Sequence, residues 1–114
     1  MHELSIAEGV LDIVRQYVPE GETRGVKSVK MKIGTLAGVV PDSLEFCFSA
    51  IIQGTSLQGA VLEIERIPLV LECRECHVRS QVEIGTFLCP ACGGISVAVM
   101  SGEELQVTEI ELEE

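Results

Sequence analysis

The stretch CRECHVRSQVEIGTFLCPACGG, residues 73–94, sets two C-x-x-C pairs twelve residues apart. Two residues between cysteines form a tight turn that aims both thiolates at one ion. Two such turns on facing hairpins supply four sulfurs in a tetrahedron, an arrangement Zn²⁺ accepts because its filled d-shell imposes no geometry of its own. Pro90 and Gly93-Gly94 suit the second turn, since proline pre-sets one backbone angle and glycine accepts the positive φ at the turn's end. Cys73, Cys76, Cys89 and Cys92 are therefore expected to hold one structural Zn²⁺ in a small zinc ribbon. Four thiolates fill every coordination position and leave none for a catalytic water. Iron fits the same four sulfurs, so the choice of metal stays open at this point.

Outward from this module, the flanking segments read as one α+β layer. Leu4, Ala7, Leu11, Val14 and Val18 recur at helical spacing, Ser5 and Glu8 match the S-x-x-E capping box, and Pro19 and Gly21 end the helix. Val29, Met31 and Ile33 alternate with Lys30 and Lys32 as in a half-buried strand. Pro41 opens a second helix with Leu44, Cys47, Phe48, Ile51 and Ile52 on one side. Cys47 is expected to be a small buried apolar group, because no partner cysteine stands at chelating distance in the sequence.

Residues 60–71 read as a strand interrupted by Pro68, where a bulge or a change of strand is expected. Residues 105–112 form a last strand whose apolar phase slips between Val107 and Ile110, as in a bulge or an edge strand. The expected fold is α+β: two helices on a small three-stranded sheet, with an inserted four-cysteine zinc-ribbon domain. The boundaries are 1–70 plus 103–114 for the α+β domain and 71–102 for the ribbon.

A net charge of −10, with scattered basic residues, provides no phosphate-binding patch and argues against nucleic acid. The N-terminus lacks an export-signal layout and the apolar runs are short, so a cytoplasmic protein without membrane contact is expected. In that compartment paired cysteines read as metal ligands rather than disulfides. No Ser/His/Asp set, Gly-rich phosphate loop or pair of catalytic acids stands out, so no enzymatic turnover is expected.

The chain opens Met1-His2-Glu3. The α-amine of Met1, the amide nitrogen of His2 and its imidazole Nδ1 close a five- and a six-membered chelate ring around one metal. A fourth donor is available from the amide of Glu3, another side chain or solvent. Planar nitrogen coordination favours Ni²⁺ or Cu²⁺. The bulky His2 blocks removal of the initiator Met1. His77, next to Cys76, reads as a surface group or a supporting neighbour of a metal already saturated by sulfur.

Three segments together, MHELSIAEGVL, VKMKIGTLAGVVPDSLEFCF and CRECHV with FLCPACGG, resemble the HypA/HybF family of nickel metallochaperones in order and over nearly the whole chain. The resemblance implies a nickel-binding domain and a zinc domain acting in maturation of [NiFe]-hydrogenase. It places the essential nickel ligand on His2, with Met1 and Glu3 beside it, and the zinc ligands on Cys73, Cys76, Cys89 and Cys92. It implies a HypB-type GTPase and the hydrogenase large-subunit precursor as partners, and some members serve urease maturation. A zinc-ribbon interaction module with no nickel site of its own is the competing reading.

Overall fold

The computed structural model describes residues 3–19 and 21–114. The chain forms two compact units, the first comprising Met1–Lys32, Val39–Glu65 and Gln106–Glu114, the second Ile33–Gly38 and Arg66–Leu105.

In the first unit, helix α1 spans Glu3–Tyr17 and buries Ala7, Val10, Leu11 and Val14. Val10 takes the place on this face that the spacing gave to Leu4, which is 43% exposed. Ser5 does not cap the helix. It is exposed inside α1, because helical structure already includes Glu3, whose acidic side chain suits the positive end of the helix dipole. Helix α2, Pro41–Ile51, begins with its proline in the first turn, where a missing N–H costs no helical bond. Leu44 and Phe48, with Ile52 just beyond the helix, lie four residues apart and are buried in one stripe. Cys47 sits at the margin of that stripe and is half-buried, not enclosed in the core. The two helices pack on each other.

Strand β1, Val26–Gly34, alternates as expected: Val29, Met31 and Ile33 are buried, while Lys30 is exposed. Strands β2 (Val61–Ile67) and β6 (Leu105–Leu112) flank it in the order β2-β1-β6. The last strand is an edge with no fully buried residue, which accounts for its slipped apolar phase. Buried Ser28 of β1 donates its hydroxyl hydrogen to Glu111 of β6 at 3.1 Å, so the one buried polar side chain among the described residues is satisfied.

The second unit contains a second three-stranded sheet that the sequence reading did not resolve, built from β3 (Val70–Cys73), β4 (Arg79–Gln81) and β5 (Val97–Ser101) in the order β4-β3-β5. The strand expected over residues 60–71 therefore divides at Pro68 into β2 and β3, which belong to different sheets. β3 is antiparallel to both neighbours, with Leu71 opposite Ser80 and Val99, and its register on β5 shifts between Val70 and Leu71.

The turn after β1 is stitched into this unit. Gly34 and Leu36 donate backbone N–H groups to the carbonyls of Glu104 and Gly102, each at 2.7 Å. Gly34 is required by contact: a Cβ there would lie 2.1 Å from the backbone carbon and oxygen of Gly102. The buried apolar side chains of the second unit are Ile33, Leu69, Leu71, Cys73 and Cys89. Two of these five are cysteines of the C-x-x-C pairs, so packing alone gives this unit little to fold around.

Candidate metal centre

The two C-x-x-C turns have the same backbone wiring. In the first, His77 donates its N–H to the carbonyl of Cys73 at 2.9 Å, and Cys73 donates to Val78 at 3.0 Å. In the second, Gly93 donates to Cys89 at 2.7 Å, and Cys89 donates to Gly94 at 2.8 Å. The fifth residue of each turn has left-handed backbone, with φ 65° at His77 and 76° at Gly93. This reversal folds each chain back on its first cysteine and leaves N–H groups pointing at sulfur. Those of Glu75 and Cys76 both lie 3.4 Å from Cys73 Sγ.

The turns bring all four sulfurs within 4.8 Å of one another. The short approaches run between the turns: Cys73 to Cys92 and Cys76 to Cys89, each 3.6 Å. Four sulfurs at ~2.3 Å from one ion stand ~3.8 Å apart in a regular tetrahedron, so the quartet fits a single tetrahedral thiolate-bound metal. All five cysteines are free thiols, which sets the disulfide reading aside. Cys73 and Cys89 are buried while Cys76 and Cys92 are exposed, so each turn offers one inner and one outer sulfur.

Proton affinity divides the same way. The N–H groups of Cys76 and Glu75 hold the Cys73 thiol down to about 7, and Cys89 is lowered, chiefly by the N–H of Cys92. At Cys92 the N–H of Gly94 works downward, but the neighbouring sulfurs of Cys73 and Cys89 outweigh it and push the thiol up to about 12. Cys76 is raised as well, the N–H of Val78 being overcome by burial and by Cys89 and Cys73. Four sulfurs this close cannot all ionise without a cation to hold them. With one, they form a closed site with no open coordination position.

Of the other residues singled out in the sequence, Cys47 lies on α2 in the first unit and does not join the quartet. His77 is exposed and contributes its backbone to the first turn. Met1 and His2 lie outside the described residues. Glu3 is described, and its Oε2 accepts a hydrogen bond from the N–H of Val40 at 3.3 Å, a contact with no signature in the sequence. Sequence reasoning also missed the left-handed backbone at His77, for which a histidine gives no cue. No helix among the described residues is long and apolar enough to cross a membrane.

Residues 1–112 match the family model described as hydrogenase/urease nickel incorporation, metallochaperone, hypA. The chain belongs to the HypA family. A hydrogenase maturation factor HypA from Geotalea uraniireducens is 46% identical over 99% of this chain and 100% of the relative. One from a Nostoc species is 40% identical over 100% of this chain and 97% of the relative. The solution structure of the Ni metallochaperone HypA from Helicobacter pylori covers 98% of this chain and 97% of its own, with a TM-score of 0.64 at 18% identity. Another HypA solution structure gives 0.69 at 18% identity, covering 99% and 97%. At that identity the two structures speak for the fold, and it is the HypA fold: two helices, small three-stranded sheets and a converging cysteine quartet. The family is one of metallochaperones in hydrogenase and urease nickel incorporation, not of catalysts.

Proposed function

We propose that the chain carries Ni²⁺ on its N-terminal tripeptide and delivers it for [NiFe]-hydrogenase maturation, while the cysteine quartet holds a structural Zn²⁺. The observation that supports this division is the closure of the quartet. Four sulfurs within 4.8 Å satisfy a tetrahedral ion completely, and among the described residues they are the one group of three or more metal-ligating side chains that converges. A carrier must release its cargo by ligand exchange, which a saturated and half-buried thiolate site opposes. The cargo donors are then sought elsewhere, and the Met1-His2-Glu3 start supplies them. The Met1 amine, the His2 amide and the His2 Nδ1 offer three nitrogens in one plane, a set that suits Ni²⁺, with the fourth position taken by the Glu3 amide, another side chain or solvent.

In this reading Zn²⁺ gives the second unit the cross-link that its five buried apolar side chains do not provide. The recipients are a HypB-type GTPase and the hydrogenase large-subunit precursor, with urease maturation proteins as further clients. Calorimetric titration of untagged protein with Ni²⁺ tests the assignment. His2→Ala should abolish tight nickel binding, and residues added ahead of Met1 should weaken it by removing the amine chelate. Unchanged affinity in His2→Ala would leave a zinc-ribbon interaction module without its own nickel site as the better account.

A further inference from the structure

We propose that the Glu75 carboxylate is the landing ligand of the cysteine quartet: it receives Zn²⁺ from solvent on the exposed side, passes it to Cys92, and leads it out by the same route. The inference rests on the zinc reading above and adds a residue role to it. Glu75 stands inside the first C-x-x-C turn, where its N–H lies 3.4 Å from Cys73 Sγ. Its side chain reaches the second turn. A Cβ built on Gly94 would overlap Glu75 Oε2, and it would stand 3.4 Å from the Glu75 carboxyl carbon and 3.3 Å from Cys92 Sγ. Gly94 does not have left-handed backbone, so its glycine is explained by space and not by φ. That space is bordered by a carboxylate from one turn and a sulfur from the other.

The four sulfurs differ in access. Cys73 and Cys89 are buried, whereas Cys76 and Cys92 are exposed. An ion therefore meets the quartet from its outer side, where Glu75 is exposed as well. Zn²⁺ takes carboxylate oxygen as well as sulfur, and a four-coordinate ion can pass through five ligands. On entry a Glu75 oxygen displaces one water of the hydrated ion. The Cys92 sulfur then displaces that oxygen, the thiol proton passes to solvent, and the carboxylate is released. On exit the same steps run backward. A donor that holds the ion only in transit lowers the barrier in both directions and leaves the affinity where it was. A carboxylate that merely attracted cations would instead tighten binding and slow release.

The test uses the full-length protein loaded with Co²⁺, whose sulfur-to-metal charge-transfer band reports ions held by thiolates. Decay of the band after addition of excess Zn²⁺ gives the exchange rate, and competition with a chelator gives the affinity. Glu75→Gln should slow exchange about five-fold, with the band in place and the affinity within about two-fold of wild type. Glu75→Asp keeps the charge but falls one methylene short, and should slow exchange as well. Glu83→Gln removes an equal charge from an exposed position of the same unit, and should exchange at the wild-type rate.

Wild-type or faster exchange in Glu75→Gln would overturn the landing role. So would a wild-type rate in Glu75→Asp, or equal slowing in Glu83→Gln, since charge alone would then be acting. A shifted band or weakened affinity in Glu75→Gln would overturn it too, by making Glu75 a resident ligand. The wild type separates the two readings. If no thiolate band forms on it, the four-sulfur metal site falls; if the band forms and Glu75→Gln exchanges at the wild-type rate, only the landing role falls.

Discussion

The two compact units of this chain are held together by different means. The first unit has a conventional apolar core, in which Val14, Val29, Leu44, Phe48 and Ile52 are almost wholly removed from water. The second has Ile33, Leu69, Leu71 and the inner cysteines of the two turns, while Ile84, Phe87, Leu88 and Ile95 stay exposed. Both contain a three-stranded sheet, so backbone hydrogen bonding does not distinguish them. What distinguishes them is the source of the long-range contact: dispersion and hydrophobic burial in one, four sulfurs meeting at one point in the other. One unit should therefore depend on side-chain volume, and the other on metal and on pH.

The harshest test of this contrast is metal removal. Apparent binding free energies of four-ligand structural Zn²⁺ sites are on the order of 10 kcal/mol, far more than a core of five small side chains supplies. A strong chelator should therefore unfold the second unit. Amide exchange protection at Leu71, Ala98 and Val99 should vanish, while that at Val10, Val14 and Phe48 persists. Parallel loss in both regions would show that the units do not draw on separate sources of stability.

The converse experiment is Phe48→Ala. Phe48 of α2 is fully buried, and such truncations cost about 3–5 kcal/mol through lost transfer energy and the cavity left behind. The loss should appear in denaturant unfolding followed by probes in the first unit. Metal stoichiometry at the quartet should remain one ion per chain, and its loss would break the contrast from the other side.

A smaller effect, confined to the second unit, is pH. Near pH 8 Cys73, held at about 7, is largely ionised, whereas Cys76 and Cys92 lie above their ordinary value and keep their protons. Binding a metal takes all four sulfurs as thiolates, so at least two protons must leave. Raising the pH therefore favours binding, and affinity should fall about 100-fold for each unit that the pH is lowered around pH 8. Calorimetry in buffers of different ionisation enthalpy counts the protons directly. Release of fewer than two would show that the sulfurs are already ionised without the metal.

The sequence was legible where one physical cause fixes a pattern. The C-x-x-C pairs announced their convergence because few folds set two such turns twelve residues apart for another reason. Pro41 and the alternation around Val29–Ile33 marked their elements for the same reason. Pro68 marked a break but not its kind, since a proline that ends a ladder does not say which sheet the chain joins next. β5, Val97–Ser101, left no signal because none of its residues is fully buried and its position depends on pairing with β3. Ser5 misled because a capping box can occur by chance inside a helix that has already begun. The bond between Glu3 and Val40 joins two helix starts remote in sequence, and no local rule could reveal it.

The gentlest prediction compares the two turns with each other. Their hydrogen bonds correspond one for one, yet the left-handed position holds glycine in one and histidine in the other. Left-handed backbone costs a residue with a Cβ about 1–2 kcal/mol, and nothing lies within 4 Å of a Cβ placed on Gly93. Gly93→Ala should therefore destabilise the metal-loaded protein by about 1 kcal/mol through backbone strain alone. His77→Gly relieves the same strain, but glycine returns part of the gain as entropy to the unfolded chain, leaving about 0.5 kcal/mol of net stabilisation. Denaturant unfolding of the two variants reads both signs. If His77→Gly is instead destabilising, the imidazole makes a contact that outweighs its strained backbone, and the first turn is more than a copy of the second.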